Sequence, residues 1–235
     1  MPLWQNIITH RNLKNYNLMT TLADTRREYE HDSLSKNQLN ENPFTQMQQW
    51  LDDAQKADLK DATVMTLATA DENGMPDARI VMLKQFDESG FCWYNSYASQ
   101  KGRQISANPQ ACLLFYWREF ERQVRIQGRV EKLSAAEADE YFHSRPLSSQ
   151  FSAAASQQSH PIASRKALQD KVDQLIQANP DAVDRPDDWG GFRLIPTSFE
   201  FWQGRASRLH DRFTYTLSST PSDNSDKWVI TRLQP

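Results

Sequence analysis

The sequence predicts a mainly β fold with a few helices laid on it, and three observations carry that prediction. Short strand-like runs at 63–70, 78–86 and 91–95 are separated by Asn73-Gly74 and Ser89-Gly90, both hairpin-turn signals. Residues 122–132 alternate, with Gln123, Arg125, Gln127 and Arg129 on one side and Val124, Ile126 and Val130 on the other. Further strand-like runs at 191–195, 198–203, 208–217 and 228–233 close the chain. Consecutive antiparallel strands with helices between some of them predict a closed or partly closed β-barrel. At 235 residues the chain is long enough to bury a core without staples.

The elements follow in order. Residues 1–22 are rich in Asn and Thr without a sustained period, so a mobile tail is expected, leaving 23–235 as one domain. Residues 25–29 read as a short helix and 33–42 as a polar linker. Asn42 and Pro43 supply an N-cap and a first helical position. Phe44, Met47, Leu51 and Ala54 follow at helical spacing, to an end near Lys56. Ser99 caps a short helix over 100–107, which Asn108-Pro109 terminates, and the apolar run 111–117 is a strand. Ser134 and Glu137 form a capping box that opens a helix through His143, stopped near Pro146. Ser164 caps another helix with Leu168, Val172, Leu175 and Ile176 on one stripe. Strands resume after the Pro- and Asp-rich stretch 179–188.

Several function classes are excluded at once. A net charge of −3 lacks the basic excess of a general nucleic-acid binder. No apolar run approaches the roughly 20 residues of a membrane span, and the first residues lack a signal-peptide core. Cys92 and Cys112 form neither a CxxC motif nor a disulfide framework, so a cytoplasmic protein is expected. The histidines at 10, 31, 143, 160 and 210 show no metal-ligand spacing, and no metal is expected. Glycines stand at 74, 90, 102, 128, 190, 191 and 204, in neither GxGxxG nor GxxxxGK spacing. A bound phosphate would therefore be held mainly by side-chain cations.

Three polar groups are candidates for that work. Arg79 and Lys84 lie five residues apart on a predicted strand, an odd separation that points them to opposite faces. They serve two neighbouring pockets, meet across a bulge, or simply reach solvent at the strand ends. Tyr141 and Arg145 are four apart, on one helix face, with Ser149 beyond. They read either as a phosphate clamp or as a tyrosine stacked on an arginine. Arg208, His210 and Arg212 alternate in a predicted strand, which puts three basic groups on one face, either a ligand face or a solvated exterior. Lys101 and Arg103, which flank Gly102 in the first turns of their helix, are further candidates for holding a phosphate with the helix dipole, with surface placement as the alternative. Trp202, like Trp93, Tyr94 and Trp117, reads more readily as core than as a cofactor shelf.

At these residues the sequence resembles the pyridoxine/pyridoxamine 5′-phosphate oxidase family. The matching segments are RREY at 26–29, RIVMLK at 79–84, ERQVRIQG at 121–128 and EYFHSRP at 140–146 in the first part of the chain. WGGFRLIP at 189–196, FEFWQG at 199–204 and RLHDRF at 208–213 follow, all in the family's order. The resemblance implies a split β-barrel homodimer with FMN at the subunit interface and a C-terminal dimerisation segment over about 189–235. It implies that Arg79 and Lys101 engage the FMN phosphate. Tyr94, Asn95, Gln123, Gln158, Ser159, Trp202 and Arg212 would also line the flavin, with Ile80, Val81, Met82 and Leu83 along it mainly by main chain and Lys84 at the end of that run. Lys84, Tyr141, Arg145 and Ser149 would hold the substrate phosphate, Arg208 and His210 would face the pyridine ring, and Arg26 and Tyr29 belong to a segment closing over the pocket.

The implied reaction oxidises pyridoxamine or pyridoxine 5′-phosphate to pyridoxal 5′-phosphate, in vitamin B6 biosynthesis or salvage. A hydride passes from C4′ to the flavin, O2 becomes H2O2, and the amine is released as ammonia. Arg208 and His210 are the expected catalytic residues, orienting substrate and assisting proton removal. Two departures stand out. Gln100 replaces an arginine common in the family, and 152–155 reads Ser-Ala-Ala-Ala where a Gly-Ala-Trp-like run is usual. A split-barrel oxidase of another substrate, such as a phenazine precursor, and a non-catalytic carrier of FMN or pyridoxal phosphate are the rival readings.

Overall fold

Among the described residues, the period-two segments assemble into one antiparallel nine-stranded sheet. The computed structural model describes residues 27–218 and 228–235, so the expected tail at 1–22 and Arg26 lie outside the described residues. The first elements are helix α1 (Pro43–Lys56), strands β1 (Val64–Ala70), β2 (Pro76–Met82), β3 (Gln85–Asp87) and β4 (Gly90–Ser96), and helix α2 (Gln100–Ala107). Strands β5 (Gln110–Trp117) and β6 (Arg122–Lys132) follow, then helices α3 (Ala135–Ser144), α4 (Leu147–Ala155) and α5 (Arg165–Ala178). Strands β7 (Trp189–Gln203), β8 (Asp211–Leu217) and β9 (Trp228–Leu233) complete the chain.

The sheet runs β2-β1-β5-β6-β7-β4-β3, with β8 on β7 and β9 on β8. Its two ends, β2 and β3, are separated in the chain only by Leu83 and Lys84. The Leu83 N–H donates to the Thr63 carbonyl and the Lys84 N–H to the Cys92 carbonyl, so this dipeptide bridges the two edges. The sheet therefore curls into a split barrel, the architecture the sequence resemblance implied.

Strand β7 is continuous where two strands were expected. It pairs with β6 along its length, with β4 at its start and with β8 at its end. Pro196, which has no N–H to donate, stands opposite Gly128 at a register shift, and Thr197 is the extra residue of the bulge there. The strand therefore passes through the proline instead of ending at it.

The alternating inward residues make the core. Leu67, Leu113, Phe115, Val124, Ile126, Phe192, Leu194, Phe199 and Phe201 are all essentially inaccessible. Helix α1 covers them: the Asn42 side chain accepts from the Phe44 and Thr45 N–H groups, Pro43 occupies the first turn, and Met47, Trp50, Leu51 and Ala54 are buried. Its Trp50 meets Phe201 edge-on at 5.2 Å, and its Phe44 meets Phe199 at 5.2 Å. Phe199 also touches Phe91, Phe201 and Trp228. Phe199→Ala is expected to lower unfolding free energy by about 3–5 kcal/mol, read as a lower urea midpoint at unchanged slope.

Four expectations are corrected. Residues 27–30 are irregular chain, not helix. Helix α4 was not foreseen; Pro146 sets its start, and Gln150, Phe151 and Ala155 are its buried residues. Strand β8 starts at Asp211, because Ser207 and Arg208 take left-handed φ values of 56° and 63° in a turn before it. The α5 stripe forms, but Leu168, Val172 and Leu175 are only half-buried and Ile176 is exposed.

Candidate active site

A cleft of about 840 Å³ opens along β2, between the end of β4, the start of α2, helices α3 and α4, and the start of β7. It gathers Arg79, Ile80, Val81, Met82, Lys84, Tyr94, Asn95, Lys101, Tyr141, Arg145, Ser149 and Gln158 of the expected set. Ser96, Pro146, Ser152, Ala153, Ser156 and Trp189 also line it, and sequence reasoning named none of them as site residues. The Leu83 side chain is instead part of the core, and Ser159 is exposed beside Gln158.

At the α2 end of the cleft two cations converge. Strand alternation turns Arg79, with Asp77 and Val81, to the half-buried side of β2, while Ile80 and Met82 are exposed and Lys84 lies past the strand's end. Arg79 pairs with Asp77 and donates to the Leu67 carbonyl (3.1 Å), Thr69 Oγ1 (2.6 Å) and Gln104 Oε1 (3.1 Å). Lys101 is only 8% exposed. Its Nζ reaches no carboxylate among the described residues, only Ser99 Oγ at 3.5 Å and Gln158 Oε1 at 3.4 Å. Burial, and then the neighbouring Arg79 charge, push its amine down to about 8. Gly102 lets α2 start here: a Cβ at that position would sit 2.2 Å from the Tyr97 carbonyl oxygen. Asn95 Oδ1, also in this cleft, is buried without a donor. A buried cation lacking an anion and a buried acceptor lacking a donor fit an anionic, hydrogen-bonding ligand such as FMN.

The α3–α4 side carries the second polar group. Helix α3 ends at Ser144, and Arg145 is its extended C-cap (φ −77°, ψ 153°), as the following Pro146 requires. Tyr141 and Arg145 thus do not share a helix face as expected, yet both line the cleft, with Ser149 from the first turn of α4. Tyr141 stacks on Tyr94 at 3.6 Å and 13°.

Gln123, Trp202, Arg212, Tyr29, Arg208 and His210 lie outside this cleft. Trp202 is thirteen residues beyond the cleft-lining Trp189 on β7, and its strand is four steps across the sheet from β2, roughly 19 Å at about 4.8 Å per strand. Gln123, Trp202 and Arg212 are cross-strand neighbours on β6, β7 and β8. The Tyr29 ring stands edge-on to Trp202 (5.7 Å) and His210 (5.3 Å), and Trp202 lies 4.7 Å from His210. Gly204 makes this contact possible, since a Cβ there would meet Tyr29 Cδ1 at 2.6 Å. Arg212 is held by Glu200, with Nε on Oε1 at 3.1 Å and Nη2 on Oε2 at 3.0 Å.

Two expectations about the basic trio change here. Arg208 sits in the turn before β8, so period two does not align it with His210 and Arg212; the Ser207 N–H in that turn donates to Glu28 Oε2 at 3.2 Å. His210 Nδ1 accepts from the Arg205 N–H at 3.1 Å, which leaves the proton of the neutral ring on Nε2. Burial and the Arg208 charge hold His210 below its ordinary value, so the ring is neutral at pH 7 and offers a donor. With its lone pair taken by an amide, it is not placed to remove a proton.

Rows across the sheet link the two groups. Ile80, Thr66, Leu114, Arg125 and Glu200 are successive cross-strand partners, and Tyr116, Gln123, Trp202 and Arg212 form a parallel row on the same face. Ile80 (65% exposed), Met82 (46%) and Tyr116 (50%) are large apolar side chains left open on this face in the single chain. Among the described residues there is no metal-binding cluster of His, Cys, Asp or Glu, and no helix is long and apolar enough to cross a membrane.

The split barrel with an anion-seeking cleft at β2 and α2 is the FMN-binding split-barrel class. A solved FMN-binding protein from Nostoc punctiforme, 17% identical, has this fold, with a TM-score of 0.64 over 87% of this chain and all of that one. Residues 51–179 match the pyridoxamine 5′-phosphate oxidase family and residues 189–235 match the pyridoxine 5′-phosphate oxidase C-terminal dimerisation region. A pyridoxine/pyridoxamine 5′-phosphate oxidase from Burkholderia lata is 50% identical over 92% of this chain and its own full length, and one from Burkholderia pseudomallei is 49% identical over the same share. The solved structure of PhzG from Burkholderia lata, in complex with tetrahydrophenazine-1-carboxylic acid, is 31% identical with a TM-score of 0.78, over 87% of this chain and 98% of that one. The chain belongs to the pyridoxamine 5′-phosphate oxidase family: it is an oxidoreductase with FMN as cofactor and carries the family's dimerisation region.

Proposed function

We propose that the protein oxidises pyridoxamine 5′-phosphate and pyridoxine 5′-phosphate to pyridoxal 5′-phosphate, in cytoplasmic vitamin B6 metabolism. The amine, O2 and water give the aldehyde, ammonia and H2O2; the alcohol and O2 give the aldehyde and H2O2. The observation that carries this reading is that one cleft holds two cationic groups, Arg79 with Lys101 and Lys84 with Arg145, enough for two phosphates.

In this reading Arg79 and Lys101 hold the FMN phosphate. Tyr94, Asn95, Gln158 and Ser159 border the flavin, with the chain from Ile80 to Lys84 running along it. Gln123, Trp202 and Arg212 come from the second copy of a homodimer, because in a single chain they lie three to five strands across the sheet from β2 and do not line its cleft. Bound FMN supplies the two-electron oxidation at C4′ and the reaction with O2. Lys84, Arg145, Tyr141 and Ser149 bind the substrate phosphate and fix the ring's position. Also from the second copy, His210 donates from Nε2 to the pyridine substituents, Arg208 adds a positive charge beside it, and Tyr29, which packs on Trp202 and His210, covers the pocket against water.

The test is to load the purified protein with FMN, add pyridoxamine 5′-phosphate, and follow pyridoxal phosphate and peroxide together. Stoichiometric product and peroxide are expected, and a flavin-loaded protein without turnover would leave only a carrier. Arg208→Ala is expected to lower kcat/KM on the order of a hundredfold at unchanged FMN content. A second reading has the PhzG complex in its favour, since a phenazine carboxylate suits the same cations. Oxidation of that acid as fast as of pyridoxamine 5′-phosphate would select it.

A further inference from the structure

The Arg145 guanidinium makes no hydrogen bond and no ion pair among the described residues, and its Nη1 is buried without an acceptor. What it touches is aromatic. Its Cζ lies 4.9 Å from the centre of the Trp189 ring and 5.8 Å from that of Phe142. Trp189 is 7% exposed and nearly coplanar in orientation with Tyr141 (3°, 6.3 Å) and Tyr94 (17°, 5.9 Å). Its main chain is fixed as well. The Trp189 N–H donates to the Pro186 carbonyl at 2.9 Å, and its carbonyl accepts from Arg185 Nη1 at 2.6 Å. Arg185 in turn pairs with Asp139 of α3, the helix that carries Tyr141 and has Arg145 as its C-cap.

A carboxylate partner would aim Arg145 but also cancel the charge that an anionic substrate needs. A ring face orients the planar guanidinium and leaves both its charge and its in-plane donors free. We propose that Trp189 is a positioning residue for the phosphate-ester substrate: it holds Arg145 at the wall of the cleft, where the guanidinium donates to the substrate phosphate. The proposal rests on the reading of Arg145 as a phosphate ligand given above.

Steady-state kinetics of the FMN-loaded enzyme with pyridoxamine 5′-phosphate test it, using Trp189→Leu, Trp189→Phe, Arg145→Ala and the Leu/Ala and Phe/Ala double variants. Trp189→Leu is expected to raise KM about tenfold with kcat and FMN content nearly unchanged, and Trp189→Phe, which keeps a ring face, only about threefold. In the Arg145→Ala background neither change raises KM further, because Trp189 acts through Arg145. A parental KM in Trp189→Leu, or effects that multiply in the double variant, overturn the proposal while the phosphate role of Arg145 stands. An unchanged KM in Arg145→Ala removes that role, and the proposal with it. Should the Leu variant not fold, the KM rise of Trp189→Phe decides the matter in the same way, since it must vanish in the Arg145→Ala background.

Discussion

Lys101→Met is expected to yield a folded protein that no longer retains FMN, with affinity reduced on the order of a hundredfold, and Arg79→Met to act alike. The two cations differ in what surrounds them. Arg79 already has Asp77, Thr69, Gln104 and a carbonyl around it, so its charge is largely satisfied before any ligand arrives. Lys101 is buried with only two neutral oxygens at 3.4–3.5 Å, so a bound phosphate is its first full partner. Flavin fluorescence quenching on titration measures the loss, and Lys101→Arg separates charge from geometry.

The same residue predicts a pH dependence. With the amine held down to about 8 in the ligand-free protein, it is charged at pH 7 and neutral at pH 9. A phosphate raises it again, so FMN binding above pH 8 takes up a proton. Apparent affinity then falls by up to about tenfold per pH unit until the bound-state value is reached. The stability sign runs the other way. Burying the charged amine costs the ligand-free fold below pH 8, and that cost is relieved as pH rises towards the ordinary lysine value. Proton uptake measured by calorimetry in two buffers at pH 9 checks the linkage, and its absence would reassign the cation that meets the phosphate.

Much of this was legible in the sequence, for reasons tied to particular residues. Caps marked α1 and α2 because Asn42 and Ser99 accept main-chain donors within the next three residues, a purely local interaction. The alternation in β6 was legible because one face is core and the other is not. What was not legible depends on distant partners. Strand β7 crosses Pro196 only because β6 shifts register at Gly128, nearly 70 residues earlier in the chain. Arg208 leaves the strand pattern through left-handed backbone at Ser207 and Arg208, in a turn that Glu28 closes from the far end of the chain. The tautomer of His210 is likewise set by an amide whose direction no spacing encodes. For the site, pattern alone pointed to anion-binding cations, and the motif resemblance supplied their grouping. Neither singled out Trp189 beyond its place in WGGFR, because its contact with Arg145 joins two distant segments of the chain.

Ile80→Asp is expected to convert the dimer to a monomer and to release FMN, while leaving each chain folded. Ile80 is 65% exposed in the single chain, so the substitution removes almost no intrachain packing and its cost to the fold is small. In the dimer the situation reverses. The face that carries Ile80 and Tyr116 continues through Gln123 to Trp202 and Arg212, and the last two lie within the dimerisation region at 189–235. Covering that face with a second copy would bury a carboxylate twice, once for each chain, where an apolar side chain stood. Each burial forfeits the 1.5–3 kcal/mol of an apolar side chain and adds roughly several kcal/mol of desolvation. On the proposal that Trp202 and Arg212 of a second copy complete the Arg79–Lys101 cleft, flavin retention is expected to fall with the dimer. Light scattering and flavin absorbance on one size-exclusion run measure both. A monomer that keeps its flavin would show that one chain suffices for the site, and an intact dimer would move the interface to another face.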